Sequence, residues 1–234
     1  MDDFAQAARL AVDLVLHLDP DLCEIVALSL RVSLTATIVA CALGLPIGAF
    51  LAVTRFPGRG ATLVVLGALM GLPPVVVGLA VYLMLSRAGP LGSLGLLYTP
   101  SAMIVAQTVL ILPIVVALSR QALESLHREY ADLFASLCLS YGRVIAAILW
   151  DGRVALTTVA LAGFGRATAE VGAVMIVGGN IDHLTRVMTT AIALEASRGD
   201  LALALALGIV LMGMAIAINA AVHGTRLRAA DALD

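Results

Sequence analysis

The sequence predicts an all-α, polytopic membrane protein, and three observations lead to that prediction. Of the 234 residues, 61% are hydrophobic and only 13% are charged, and the mean hydropathy is +1.04. A soluble domain is roughly half apolar and about one quarter charged. Five stretches also reach the length of about 20 apolar residues that a helical span requires. They are residues 25–54, 61–86, 101–119, 153–178 and 200–222, within a membrane domain of residues 25–223.

The segment before the first span, residues 1–24, predicts a short amphipathic helix. Apolar residues recur there at helical spacing from Phe4 to Val15, and the helix is expected to end near Pro20. The helix is expected to lie on the bilayer or against a neighbouring segment. A sixth span is the alternative, but residues 5–18 are too short and too charged for it. The segment is acidic where a signal peptide is basic, so no cleaved leader is expected.

The arginines predict the orientation of the chain in the membrane. Cytoplasmic loops carry the excess of basic residues. That rule is met if the loop at residues 55–60, the loop at 121–152 and the tail at 224–234 face the cytoplasm. The inside arginines are then Arg55, Arg59, Arg120, Arg128, Arg143, Arg153, Arg226 and Arg228, against Arg9, Arg87, Arg186 and Arg198 outside. Five crossings place the N-terminus outside and the C-terminus in the cytoplasm.

Missing residue types exclude several functions. The chain has no lysine, and a P-loop needs a lysine on the nucleotide phosphates, so any ATPase must be a separate subunit. The three cysteines, Cys23, Cys41 and Cys138, have no metal or disulfide spacing. No HExxH or GxSxG motif indicates a membrane enzyme, and no catalytic or metal-binding residue is predicted. A channel or a secondary carrier is the other alternative, although carriers commonly show internal repeats and none is evident here.

Residues 129–149 form the conspicuous amphipathic stretch between two spans. Apolar side chains from Tyr130 to Ile148 recur at helical intervals, and Asp132 and Arg143 lie on the other face. The pattern predicts one amphipathic helix, or a helical pair broken at Gly142. Such an element either lies on the membrane surface or docks a cytoplasmic partner.

This stretch resembles the EAA loop of ABC importer permeases. Asp132 stands at the glutamate position of that motif, Leu133 and Phe134 at the two alanines, and Cys138 at the glycine. The later Ile, Leu and Pro positions hold Ile148, Leu149 and Trp150, so Ile and Leu match while Gly and Pro are replaced. Elsewhere, SLRVSLTATIVACALGLPIGAFLA is similar to the first core span of these permeases. AEVGAVMIVGGNI followed by TRVMTTAIALE resembles tungstate-type members in particular. The resemblance extends from about Leu28 to Val222.

The resemblance implies a type I ABC importer permease fold in the cytoplasmic (inner) membrane, with many spans. It implies a homodimer of this chain, two copies of an ABC ATPase, an extracytoplasmic substrate-binding protein, surrounding membrane lipid and no nucleic acid. ATP and magnesium are expected on the ATPase, and no cofactor on this chain. The expected substrate is an oxyanion, tungstate foremost, with molybdate or sulfate as alternatives. The residues implied to couple to the ATPase are Asp132, Leu133, Phe134, Ser136, Leu137, Cys138, Ser140 and Tyr141.

Polar residues in the spans, and in the loop and short helix before the last span, suggest where the anion passes. The candidate path consists of Ser33, Thr37, Arg166, Thr185, Arg186 and Thr189, since helix starts and hydroxyl donors suit a tetrahedral dianion. The alternatives are that the hydroxyl groups bond to their own helix, and that Arg186 contacts Asp182 or a partner protein. Residues 187–195 predict a short re-entrant helix after a break at Gly178 and Gly179.

Arg166 and Glu170 form a candidate structural pair. Four residues apart on one helix, they would lie on the same face. Charged groups at that depth are costly and are expected to face the interior and pair.

Two further features concern packing. Gly44 with Gly48 and Gly67 with Gly71 allow close helix approach, and Pro73 with Pro74 should kink the second span.

Overall fold

The structure is a computed structural model that describes residues 9–231 apart from residues 11 and 18. Every regular element in these residues is helical, which confirms the all-α prediction. The α-helices are α1 Pro20–Val53, α2 Arg59–Met70, α3 Pro74–Leu85, α4 Pro100–Glu129, α5 Ala131–Ser136, α6 Tyr141–Asp151, α7 Arg153–Thr168, α8 Gly172–Gly178, α9 Met188–Arg198 and α10 Leu201–Asp231. A 3₁₀ turn spans Gly92–Leu94.

The N-terminal segment is only partly described. Residues 9–10 and 12–16 are helical, while residues 1–8 of the predicted amphipathic helix lie outside the described part. The helix at residues 12–16 ends shortly before Pro20, as predicted, and Pro20 itself begins α1. Proline is favoured in the first turn of a helix because its missing N–H would have no partner there.

The membrane spans agree with a multi-pass protein. Three described helices are long and apolar enough to cross a membrane: α1, α4 and residues 201–221 of α10. The number rises to five if two bent pairs, α2 with α3 and α6 with α7, each count as one span. The predicted kink at Pro73 and Pro74 is confirmed as a break between α2 and α3. The stretch 153–178 is also broken, because α7 ends at Thr168 and α8 starts at Gly172.

The chain folds into two compact units. The first unit comprises residues 1–36, 73–107 and 167–219, and the second comprises residues 37–72, 108–166 and 220–234. In the first unit, the start of α1 packs against α9 and α10 through an apolar core. That core consists of Leu22, Ile25, Met188, Ala191, Ala206 and Leu207. Helices α3 and α8 approach closely at Gly78, where a Cβ would lie 2.7 Å from the Cα of Ala173.

In the second unit, α1 and α4 pack backbone to backbone. A Cβ on Gly44 would lie 2.8 Å from Cγ1 of Val115, and a Cβ on Gly48 would overlap the Ser119 hydroxyl. Close packing at this glycine pair is therefore confirmed. Gly67 meets nothing within 4 Å and Gly71 meets only its own helix, so that pair makes no helix contact in the described chain. The apolar core of this unit comprises Ala49, Ala52, Val53, Leu123, Val144, Ile148 and Leu156.

Candidate functional site

The loop that resembles the EAA motif is a pair of short helices, α5 and α6, which we call the coupling segment (residues 130–152). The amphipathic pattern is therefore a helical pair, but the break lies at residues 137–140 and not at Gly142. Gly142 is inside α6. The chain turns at residues 137–140 because the end of α5 is stabilised by backbone hydrogen bonds to its last carbonyl groups.

Those bonds form a Schellman motif at the end of α5. The Cys138 amide donates to the Ala135 carbonyl at 3.1 Å, and the Leu139 amide donates to the Phe134 carbonyl at 3.2 Å. The residue that the motif places in the left-handed region is usually glycine, and here Cys138 occupies it with φ of 48°. A cysteine thus occupies the left-handed position of this turn, at the residue that stands at the glycine of the EAA motif.

Large apolar side chains near the turn of the coupling segment are directed away from the protein. The exposed fractions of Leu133, Leu137 and Tyr141 are 53%, 59% and 69%. Asp132, Ser136, Cys138 and Ser140 are also exposed. Phe134 differs from the other residues of the predicted set, because it is half-buried and packs against the core of the second unit. Seven of the eight predicted coupling residues therefore present a free surface, and Phe134 holds that surface on the core.

The two ends of the coupling segment are joined by a hydrogen bond. The Tyr130 hydroxyl donates to Oδ2 of Asp151 at 2.8 Å, and the Tyr130 ring packs edge-on against Phe134 with centroids 5.8 Å apart. The ring of His127, in the last turn of α4, also stacks on the Phe134 ring. The hydrogen bond and the charge of Asp151 raise the pKa of Tyr130, because ionisation would place a phenolate beside a carboxylate. The Tyr130 hydroxyl therefore keeps its proton, and remains a hydrogen-bond donor, at neutral pH.

The second group of predicted residues surrounds the break between α7 and α8. Glu170 is buried in this break, and its Oε1 accepts a hydrogen bond from the Ala173 amide at 3.1 Å. The side chain thus binds a free N–H in the first turn of α8. Because α7 ends at Thr168, Glu170 is not on one helix with Arg166, and the predicted shared face is wrong. Arg166 is half-buried, and its pairing with Glu170 stays a prediction.

Neighbouring elements hold the same break through its carbonyl groups. The Gln107 amide donates to the Ala167 carbonyl at 3.0 Å, and the Thr189 hydroxyl donates to the Glu170 carbonyl at 2.8 Å. Gln107 is buried within α4. A helix interruption inside a membrane requires such partners because free carbonyl groups are costly there.

The hydroxyl groups of the predicted anion path bond within the protein. Thr185 donates to the Gly178 carbonyl at 2.6 Å and accepts from the Ile181 amide at 2.9 Å. The start of α9, predicted as a short helix and confirmed as such, has its Met188 amide bonded to the Ser29 hydroxyl at 2.7 Å. Ser33 and Thr37 are buried on α1. The arrangement stabilises the loop and the helix start, and an anion path through these residues stays a prediction.

Charged side chains form a chain of contacts beside this loop. Arg186 Nη1 lies 2.7 Å from Oδ1 of Asp182 and 3.9 Å from Oε1 of Glu195, and Arg198 contacts the same Glu195 oxygen at 3.1 Å. The contact between Arg186 and Asp182 is the one that sequence analysis offered as an alternative to an anion site. Arg186 Nε is buried without a hydrogen-bond partner in the described structure.

His183 joins the loop to the start of α1. Its Nδ1 lies 2.9 Å from Oε2 of Glu24. The hydrogen bond to Glu24 and the charge of that carboxylate raise the pKa of His183, and the charge of Asp182 adds to the effect.

Sequence reasoning did not predict the contacts of four residues, which are Gln107, Tyr130, Asp151 and Glu124. Gln107 is a lone amide within an apolar span, which is a signal for a buried partner. Tyr130 and Asp151 lie 21 positions apart, so only the folded loop brings them together. Glu124 has arginines four residues away on either side, and that helical spacing is itself a signal for ion pairs.

The comparisons with known proteins agree with this architecture. The chain is 41% identical to the tungstate uptake system permease protein TupB of Peptoclostridium acidaminophilum, over 95% of this chain and 98% of that protein. It is 41% identical to a probable anion ABC transporter permease protein of Haloferax volcanii over 88% and 90% of the two chains. The molybdenum transport system permease protein ModB of Azotobacter vinelandii is 28% identical over 70% of this chain. No family model matches the chain.

The all-helical, multi-pass chain shares nearly its full length with proteins named as transport permeases and not as enzymes. With its full-length relatives, the chain belongs to the family of oxyanion ABC transporter permeases. Within that family it is more similar to the tungstate uptake permeases than to the molybdenum permeases, at 41% against 28% identity.

Proposed function

We propose that this chain carries tungstate across the cytoplasmic (inner) membrane as the permease of an ATP-driven importer. The observation that carries the proposal is the 41% identity to a tungstate uptake permease along 95% of the chain. The relatives named for molybdenum transport are more distant. Molybdate and sulfate are the alternatives, since all three substrates are tetrahedral dianions.

The working complex is a homodimer of this chain with two ATPase subunits on the cytoplasmic side and a binding protein outside. ATP and magnesium bind to the ATPase subunits. The N-terminus is outside and the C-terminus is in the cytoplasm, as the distribution of arginines favours. This orientation puts the coupling segment on the side where ATP is available.

The coupling segment transmits the closure of the ATPase subunits to the spans. Leu133, Leu137 and Tyr141 offer an exposed apolar surface, and exposed apolar side chains of this kind are typical of a protein interface. Phe134 and Leu139 attach the segment to the core of the second unit. A displacement of the segment by the ATPase is therefore passed to helices packed in that core, as a two-state mechanism requires.

The substrate is tested with the complete complex in proteoliposomes, including its binding protein. ATPase activity is measured while tungstate, molybdate and sulfate are titrated separately. Stimulation at the lowest concentration by tungstate supports the proposal. Equal stimulation by the three anions contradicts the tungstate assignment, and a permease that fails to copurify with an ATPase argues for a channel or a carrier.

The coupling surface is tested by introducing a charge at its centre. Leu137→Arg and Cys138→Arg are expected to abolish substrate transport per ATP hydrolysed while the protein still assembles in the membrane. Leu94→Arg is the matched control, because Leu94 is similarly exposed at 58% but lies in the 3₁₀ turn between α3 and α4. Normal transport by both coupling variants would rule out this surface.

A further inference from the structure

The carboxylate of Glu124 on α4 contacts three arginines. Its Oε2 lies 2.5 Å from Nη1 of Arg120, and its Oε1 lies 3.4 Å from Nη2 of Arg59 and 3.5 Å from Nη2 of Arg128. Arg120 and Arg128 are on the same helix as Glu124, one turn before and one turn after it. Arg59 comes from another element, so it makes the contact that matters for the fold.

Arg59 also binds the end of α1. Its Nε and Nη2 both donate to the Leu51 carbonyl, at 3.1 and 3.0 Å. The last carbonyl groups of a helix lack intrahelical partners and carry partial negative charge, so a guanidinium there is favourable. The connection between α1 and α2 is closed further by stacking of Phe50 on Phe56, with centroids 6.0 Å apart. One arginine therefore joins the end of α1, the start of α2 and the carboxylate on α4.

The same stretch of α4 supports the coupling segment. Leu123, next to Glu124, is fully buried against Val144 and Ile148 of α6 and against the end of α1. Gly152, at the end of the segment, packs against the Leu123 side chain. Helix α2, by contrast, has no buried residue. The contacts of Arg59 with the Leu51 carbonyl and with Glu124 therefore help to hold α2 against the rest of the second unit.

We infer that Glu124 is a positioning residue for coupling. Its ion pair with Arg59 attaches the α1–α2 connection to α4, so that a displacement of the coupling segment also moves the start of α2. The inference rests on the proposed function. An exposed ion pair contributes little, but the side chains of Arg59 and Glu124 are each only 24% exposed. Loss of the carboxylate would also leave three guanidinium groups close together without a counter-charge.

The experiment compares Glu124→Gln, Arg59→Met and the double variant in the reconstituted complex. The quantity measured is tungstate transported per ATP hydrolysed, with assembly followed by copurification of the ATPase. Each single variant is expected to lower that ratio by about fivefold, the ratio equivalent of about 1 kcal/mol. The double variant should be no worse than either single variant, because all three remove the same contact. Arg87→Gln is the control, since Arg87 is an exposed arginine outside the second unit.

Glu124→Asp separates positioning from folding. It keeps the charge near Arg120 but shortens the reach to Arg59, so it is expected to assemble normally and still lower the transport ratio. Normal ratios in Glu124→Asp and Arg59→Met would overturn the inference, even if Glu124→Gln fails to assemble. Effects of the single variants that multiply in the double variant would overturn it too. If no oxyanion stimulates the ATPase activity of the wild-type complex, the proposed function is wrong. That outcome is distinct from a wild-type complex that transports normally while the variants have no effect, which contradicts only the inference about Glu124.

Discussion

Gly48 of α1 lies directly against Ser119 of α4, and there is no space for a side chain between them. A Cβ on Gly48 would overlap the Ser119 hydroxyl and lie 2.9 Å from the Val116 carbonyl oxygen. Backbone atoms of α4 cannot move aside as the end of a flexible side chain can. Close approach through small residues is a common way for helices to associate in membranes.

Gly48→Ala is therefore expected to destabilise the protein by about 1–3 kcal/mol, the usual cost of overpacking. The measurement is the midpoint of thermal unfolding in detergent. Gly67→Ala is the matched control, because it adds the same methyl group where nothing lies within 4 Å. That control should be neutral or more stable by up to about 1 kcal/mol through helix propensity. Equal midpoints for the two variants would show that α1 and α4 are not in this contact.

Cys138→Gly is expected to stabilise the turn between α5 and α6. Cys138 has φ of 48°, and a side chain in the left-handed region costs about 1–2 kcal/mol. Removing it should raise the unfolding midpoint, offset in part by the greater freedom of glycine in the unfolded chain. Cys138→Ala retains a Cβ and should leave the midpoint close to that of the wild type. A lower midpoint for the glycine variant would contradict the left-handed turn.

The contact between His183 and Glu24 is expected to weaken as pH rises. The pKa of His183 is raised in the folded protein, so the contact stabilises fully below the ordinary histidine pKa of about 6.5. That stabilisation is lost as pH rises through the higher folded value. The unfolding midpoint of the wild type should exceed that of Glu24→Gln at about pH 5 and converge with it by about pH 9. A difference that grows with pH would show that the histidine is not the titrating partner.

Glu170 and Arg166 are expected to respond differently to substitution. Glu170→Ala removes the acceptor for the Ala173 amide and should cost about 1 kcal/mol, as the loss of a helix cap does. Glu170→Gln keeps an acceptor oxygen and should be less destabilising. If Arg166 is a structural partner of Glu170, Arg166→Ala also lowers assembly of the complex. If Arg166 lies on the anion path, the Arg166→Ala complex assembles normally but does not transport the anion. Copurification and transport assays with the purified complex distinguish the two outcomes.

The sequence by itself determined the class of fold and the amphipathic helical stretch between two spans, and it indicated close packing at Gly44 and Gly48. Hydropathy and small-residue spacing are local properties, so they can be read without knowing which segments meet. The resemblance at residues 132–150 and 169–195 likewise rests on local motifs. It therefore indicated the permease family, which the full-length relatives then showed.

Only the tertiary structure decided where helices break and what the polar groups contact. The placement of the turn at residues 137–140 depends on Phe134 and Leu139 packing against a core built from distant segments. Glu170 lies outside the helix that contains Arg166. Gln107 and Thr189, from other elements, donate hydrogen bonds to the carbonyl groups that this helix break leaves without helical partners. Such partners are remote in sequence, and their energy is realised only when the chain is folded. Periodicity therefore predicts which segments are helical, whereas contacts that form only in the folded chain decide where α5 and α7 end.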